Sequence, residues 1–130
     1  MSQENVGVVK ELYEAFFRRD MEMIRARVSP EFVVMQTTAV PWGGTYRGAE
    51  GLVEFFGKLA SHLNNEALPI ERYLDAGEHV VAIGRTQGTV KGNGKRFDVP
   101  LAHVWEIREG RAARFTPFID VPTMLEALKN

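Results

Sequence analysis

The order of the hydrophobic periodicities along the chain limits the folds that it can adopt. In the first half, apolar residues recur at helical spacing, from Val6 to Phe17 and again from Leu52 to Leu63. In the second half, β-branched and aromatic runs are separated by hairpin signals such as Gly92-Asn93-Gly94 and Glu109-Gly110. Helices followed by a meander of antiparallel strands predict an α+β fold whose helices cover one face of a sheet.

The element boundaries follow from caps and breakers. A first helix runs from Val6 to Arg18, and Asp20 is a candidate N-cap for a short second helix that Ser29-Pro30 ends. We predict the remaining elements as a strand at 32–38, a loop at 39–48, a helix along 52–63, strands at 70–74, 79–90, 97–107 and 111–119, and a last helix from 122 or 123 to 129. The chain of 130 residues suits a single domain, 1–130.

Composition excludes several classes of function. Cysteine is absent, which excludes disulfides, thiol catalysis and cysteine-ligated metals. Sixteen Lys and Arg against 17 Asp and Glu leave a net charge of −1 with no basic stripe, so we expect no nucleic-acid partner. Apolar runs are too short to span a bilayer and the N-terminus lacks a signal-peptide pattern, so we expect no membrane partner and a cytoplasmic location.

Alternation along the last two strands indicates which side chains face an interior. On 97–107, His103 shares the apolar parity with Trp105, opposite a more polar set. On 111–120 we interpret the parity of Arg114, Phe118 and Asp120 as a cavity lining, because a bulky aromatic stands in a mostly polar row.

Both polar candidates have a plainer explanation. A lone histidine on an apolar face is often a hydrogen-bonded core residue. Asp120 precedes the last helix and is a candidate N-cap, although Thr123 with Glu126 forms a capping-box pattern that would free it. Both interpretations of Asp120 remain open at this point.

Metal and phosphate sites are not predicted. His62, His79 and His103 lack metal-ligand spacing, and Gly92-Asn93-Gly94 lacks the following helix that a phosphate loop needs. The sequence therefore predicts no metal and no cofactor.

The stretches that carry a resemblance are spread over nearly the whole chain. They are Tyr13-Glu14-Ala15-Phe16 with Arg19-Asp20, 41–48, Gly88-Thr89-Val90, 102–105 and Phe118-Ile119-Asp120. In these the chain resembles the SnoaL-like, ketosteroid-isomerase-related branch of the nuclear-transport-factor-2-like superfamily. The resemblance implies a cone-shaped, strongly curved, mostly antiparallel sheet around an apolar pocket, with the N-terminal helices on its concave face.

The same resemblance implies a site and a partner. Asp120 aligns with the acid–base aspartate of cyclase-like members, and His103 matches a polar cavity position. The expected contacts with a hydrophobic small molecule are aromatic side chains and one amide: Tyr13, Phe16, Gln36, Trp42, Tyr46, Phe56, Trp105 and Phe118. Family members often pair through the outer sheet face, and apolar residues that we assign to that face, Val80, Ala82, Val104 and Phe115, favour a homodimer.

Two departures limit the analogy. Residues 32–49 contain no Asp or Glu, whereas ketosteroid isomerase takes its base from this region. The epoxide-hydrolase branch of the family needs two aspartates and an arginine, and this sequence has no identifiable second aspartate. Three hypotheses follow: a cofactor-independent cyclase or isomerase acting on a small hydrophobic carbonyl compound through Asp120 and His103, a non-catalytic binding domain, or a structural domain with a filled core.

Overall fold

Four helices form where the sequence shows helical periodicity. The computed structural model describes residues 2–130. The second helix begins as predicted, because the Asp20 carboxylate accepts a hydrogen bond from the backbone N–H of Met23 at 3.1 Å. The helices are α1 (Ser2–Arg18), α2 (Met21–Arg27), α3 (Gly48–His62) and α4 (Val121–Leu128).

Seven strands form one sheet, and two of them were not predicted. β2 lies in the segment predicted as a loop, and β3 includes the Asn64-Asn65 pair, which is a poor strand former. The strands are β1 (Val28–Gln36), β2 (Gly44–Arg47), β3 (Leu63–Ala67), β4 (Ile70–Ala76), β5 (His79–Val90), β6 (Arg96–Arg108) and β7 (Arg111–Ile119).

The sheet is mixed and strongly curled. Its order is β2-β1-β7-β6-β5-β3, with β4 also paired to β5. β1 runs parallel to β7, and every other pairing is antiparallel. Because β3 and β4 pair with different halves of β5, the chain between them folds tightly against that strand. Gly88 permits the approach, since a Cβ there would lie 2.0 Å from the carbonyl oxygen of Asn64.

The helices close the concave side of this sheet. α1 contacts β4, β5 and β7, α3 contacts β1, β2 and β3, and α4 packs against β6. This is the α+β arrangement that the element order predicts, with the cone-shaped sheet that the family resemblance implies. No helix among residues 2–130 is long and apolar enough to cross a membrane.

A single extra residue decides which side of β7 faces inward. Arg108 pairs with Arg111 across the Glu109-Gly110 turn, but Glu106 pairs with Arg114, which leaves Ala113 as a β-bulge. The bulge shifts the register so that Trp105 lies opposite Phe115, and their rings stack at 4.0 Å inside the fold.

Several predicted side-chain orientations were wrong, and the bulge explains those on β7. Val80, Ala82 and Phe115 are buried on the inner face, where they pair with β6 residues that also point inward. Phe118 lies on the outer face with 57% of its surface exposed. Only Val104, of the four residues assigned to the outer face, belongs to it, because it pairs with Val81 and Thr116 on the parity opposite Trp105.

Candidate functional site

An apolar cavity of about 80 Å³ lies between the concave sheet face and helices α1 and α3. Since one buried water needs about 10–15 Å³ by a comparable measure, the space exceeds what a single water would occupy. Its wall contains no Asp, Glu, Lys or Arg from residues 2–130. The polar side chains in the wall, apart from the two tryptophans, are Tyr13, Gln36, Asn65, Thr86 and His103.

Three of the lining side chains form a hydrogen-bonded chain from α1 to β6. Trp105 Nε1 donates to the Tyr13 hydroxyl oxygen at 3.0 Å, and that hydroxyl lies 2.7 Å from His103 Nδ1. His103 and Trp105 are neighbours on the inward parity of β6, and Tyr13 reaches them from α1. The link therefore joins the first helix to the centre of the sheet.

The directions of these hydrogen bonds determine the tautomer of the histidine. If Nδ1 carried the proton, Tyr13 would accept two hydrogen bonds and its own O–H would have no acceptor among residues 2–130. The arrangement that satisfies all three groups has Tyr13 O–H donating to Nδ1, so the ring proton is on Nε2. Nε2 has no hydrogen-bond partner in the described part of the chain, and His103 lines the cavity.

Burial keeps both titratable groups neutral. Desolvation lowers the pKa of His103 to about 3, because no carboxylate of the wall is there to stabilise an imidazolium. Desolvation also raises the pKa of Tyr13 above its ordinary value, opposed in part by the hydrogen bond from Trp105. At neutral pH the site is a set of neutral donors and acceptors in an apolar enclosure.

The side-chain amide of Gln36 lies near the hydrogen-bonded chain of Trp105, Tyr13 and His103. Gln36, at the end of β1, donates from Nε2 to the carbonyl oxygen of Pro117 at 3.4 Å. Pro117 pairs with His103 across β7 and β6, and β1 flanks β7 on its other edge, so Gln36 and His103 lie on opposite sides of β7. Neighbouring strands are about 4.8 Å apart, which places these polar residues roughly 10 Å apart at the backbone.

The other polar pair connects β3 to β5. Thr86 Oγ1 donates to Asn65 Oδ1 at 3.0 Å, and both residues line the cavity.

Phe16 and Phe56 lie close together between α1 and α3, with ring centroids 3.9 Å apart. Phe17, next to Phe16, is 48% exposed although it lines the cavity, so the mouth lies at this end.

Most of the expected contact residues are brought together. The predicted residues that line the cavity are Tyr13, Phe16, Gln36, Trp42, Phe56, His103 and Trp105. Tyr46 does not line it: the residue is buried, and its hydroxyl donates to the carbonyl oxygen of Trp42 at 3.0 Å.

The expectation that Phe118 and Asp120 line the cavity was wrong. Phe118 is on the outer face because the Ala113 bulge reverses the parity that we assigned to β7. Asp120 is exposed and is the N-cap of α4, where its carboxylate accepts from the backbone N–H of Thr123 at 3.2 Å. The capping-box pattern of Thr123 and Glu126 does not free it, since the helix begins before Thr123.

Sequence analysis missed part of the wall. Thr86 was readable, because it shares a parity with Val80 and Ala82, and correct placement of those two residues would have put it inside. Asn65 carried no signal, since an Asn-Asn pair indicates a turn rather than a strand. Among residues 2–130 no group of three or more His, Asp or Glu side chains is placed to hold a metal ion.

Comparison with known proteins identifies the family. The SnoaL-like domain profile matches residues 9–115, from the middle of α1 to the middle of β7. The chain belongs to the SnoaL-like domain family. Among curated proteins no significant match is found.

Solved structures share this SnoaL-like fold over nearly their whole length. An NTF2-like protein of unknown function from Burkholderia pseudomallei is 27% identical, with 98% of each chain covered and a TM-score of 0.87. TerC, co-crystallised with polyporic acid, is 23% identical, with 98% of this chain and 99% of that chain covered and a TM-score of 0.86. A proposed SnoaL-like polyketide cyclase from Jannaschia is 20% identical, with 98% and 92% covered and a TM-score of 0.85.

Proposed function

We propose that the protein binds a small, largely apolar carbonyl compound in this cavity, and that His103 Nε2–H donates a hydrogen bond to the carbonyl oxygen. The observation that carries the proposal is the hydrogen-bonded chain from Trp105 through Tyr13 to His103. It fixes the ring so that its unpartnered N–H is available to a ligand, in a wall that is otherwise mostly aromatic and aliphatic.

The absence of charge from the wall supports a neutral group at this point. A carboxylate or an amine beside His103 would lose its hydration without gaining a counter-charge, which is costly in an apolar enclosure. A carbonyl needs one donor, and the histidine supplies one. The indole rings of Trp42 and Trp105 add flat contact area for a planar ligand.

Valerophenone and pentylbenzene, which differ in the carbonyl group, test this proposal. We expect the ketone to bind about 2- to 10-fold more tightly relative to the hydrocarbon in the native protein than in His103→Leu, since one neutral hydrogen bond contributes about 0.5–1.5 kcal/mol. Isothermal titration calorimetry measures both affinities. His79→Leu, which removes an exposed histidine, is the matched control and should keep the native preference. An equal preference in native and His103→Leu protein would contradict the proposal.

A second candidate function is catalysis on the same ligand, as a cofactor-independent cyclase or isomerase. The neutral His103 favours it, because an imidazole N–H can stabilise a developing enolate oxygen without becoming charged. Since the wall has no carboxylate and His103 Nε2 already carries a proton, His103 is the hydrogen-bond donor to the enolate oxygen and not the base. The C–H proton then passes to a solvent water or hydroxide ion, so the substrate must have an acidic C–H. The binding of polyporic acid by TerC and the cyclase description of the Jannaschia protein support small cyclic carbonyl compounds as substrates.

Exchange of the α-hydrogens of valerophenone in D₂O tests this second function. Exchange above the buffer rate, lost in His103→Leu and retained in His79→Leu, would support proton chemistry at the bound carbonyl. Exchange at the buffer rate in the native protein would leave binding alone.

The outer sheet face supports a homodimer as a further proposal. Phe118, Met35 and Leu74 are exposed there, and Val104 lies between them in the sheet. Apolar side chains on a face that water would otherwise cover favour a partner, and a second copy is the partner that the family resemblance implies. Light scattering should give twice the monomer mass of 14.6 kDa. Phe118→Asp should return the protein to the monomer, and a monomeric native protein would refute the proposal.

A further inference from the structure

A groove adjoins the cavity at its mouth. We call this the mouth groove: a space of about 300 Å³ between the end of α1, the outer half of α3 and the start of β3. The cavity and the mouth groove adjoin each other, because they share six lining residues: Phe16, Phe17, Phe56, Leu59, Leu63 and Asn65.

The mouth groove differs from the cavity in its charge. Its wall contains two cationic side chains, Arg19 and Lys91, and no acidic side chain among residues 2–130. Both cations are exposed, and neither forms an ion pair in the described part of the chain. Asp20, the nearest acid in sequence, is engaged in capping α2 and pairs with Arg18 at 3.6 Å.

Neither an ion pair nor backbone preference accounts for Arg19. Six of the eleven arginines form an ion pair with a carboxylate in the described part of the chain, and Arg19 is not one of them. Arg19 also has a left-handed backbone conformation, with φ of 59°, at a helix end where glycine or asparagine is usual. Backbone preference therefore does not explain an arginine at this position.

We infer that the ligand is an amphipathic anion: its carbonyl-bearing apolar part occupies the cavity, and its carboxylate or other anionic group lies in the mouth groove against Arg19 and Lys91. The inference rests on the proposed function and names the ligand class more closely. An anion would be destabilised beside His103, where no cation lines the wall, whereas at the mouth it stays hydrated and meets two positive charges. The arrangement also sets the orientation in which the ligand enters.

Matched ketones with and without a carboxylate test the inference. One series consists of ω-benzoyl carboxylates with three to six methylenes, and the other consists of the alkyl phenyl ketones in which a methyl replaces the carboxylate. We expect the carboxylate to bind about 2- to 30-fold more tightly at the chain length that reaches the mouth groove, since exposed charge pairs contribute modestly and two are available. The preference should shrink when the salt concentration rises to about 1 M.

Variants separate this inference from the proposed function. Arg19→Gln with Lys91→Gln should abolish the carboxylate preference and leave the affinity for the neutral ketone unchanged. The control, Arg72→Gln with Arg111→Gln, makes the same change in net charge at exposed arginines outside the cavity and the mouth groove, and should keep the preference.

Each outcome has one meaning. If both series bind equally at every length, or if the control removes the preference as fully as the Arg19 and Lys91 variant does, the inference is wrong and the proposed function stands. If neither series binds, the proposed function fails and the inference fails with it.

Discussion

At the scale of single residues, the histidine in the cavity wall makes stability depend on pH. The pKa of His103 falls from about 6.5 in an unfolded chain to about 3 in the folded protein, because burial penalises the charged form. Below pH 6.5 the unfolded state then binds a proton that the folded state does not bind. The contribution of His103 to the free energy of unfolding is therefore fully present above pH 6.5 and is lost as the pH falls towards 3.

We expect the free energy of unfolding to fall by about 1.4 kcal/mol for each pH unit between about pH 6 and pH 4 through this residue. Urea denaturation at a series of pH values measures the slope. His103→Gln should lose this part of the slope, whereas His79→Gln should retain it. The same slope in native protein and His103→Gln would show that the histidine is protonated or accessible to water in the folded state.

Tyr13 is the residue on which the orientation of the histidine depends. Tyr13→Phe keeps the ring but removes the acceptor of Trp105 Nε1 and the donor to His103 Nδ1. We expect a loss of about 1–3 kcal/mol in the free energy of unfolding, because buried partners are left without hydrogen bonds.

The matched control for this variant is Tyr73→Phe, at a half-buried tyrosine whose ring lies beside Lys10. It should change stability by less than about 0.5 kcal/mol. If the two variants cost the same in urea denaturation, the hydrogen bonds of Tyr13 do not hold the site together.

At the scale of elements, the end of β7 and the start of α4 separate a structural role from a catalytic one. Asp120→Ala removes the N-cap and should destabilise the protein by about 1 kcal/mol, whereas Asp120→Asn retains a capping side chain and should remain close to native. Thermal unfolding measures both. Neither variant should change the affinity for valerophenone, since the carboxylate lies outside the cavity wall. A loss of ligand affinity in Asp120→Asn would contradict the cap assignment.

The strands show why some orientations were not predictable from sequence. The turn at Glu109-Gly110 is readable, but a regular hairpin from that turn would place Arg114 opposite Trp105. The Ala113 bulge instead places Phe115 there, and one residue of shift reverses every side chain beyond it. Nothing in the local sequence marks Ala113 as the extra residue, whereas the bounds of β5 and β7 follow directly from their flanking turns.

At the scale of the whole molecule, element order was predictable and the pairing of distant edges was not. The hairpins from β4 to β7 are local, so their turns specify them. The parallel contact between β1 and β7 joins residues far apart in sequence, and it brings Gln36 to the same strand that flanks His103. The chain of Trp105, Tyr13 and His103 likewise depends on how α1 crosses the sheet. Strand parity correctly predicted that His103 lies beside Trp105. Tyr13 was predicted to line the cavity only because of the family resemblance.

The central claim is that His103 Nε2–H donates to a ligand carbonyl inside an apolar cavity, and infrared difference spectroscopy of bound valerophenone tests it most directly. Hydrogen bonding weakens a carbonyl bond, so the stretching frequency in the native protein should lie below the value in a hydrocarbon solvent. It should return towards that value in His103→Leu and remain low in His79→Leu. A frequency equal to the hydrocarbon value in the native protein, or one that His103→Leu leaves unchanged, would contradict the claim.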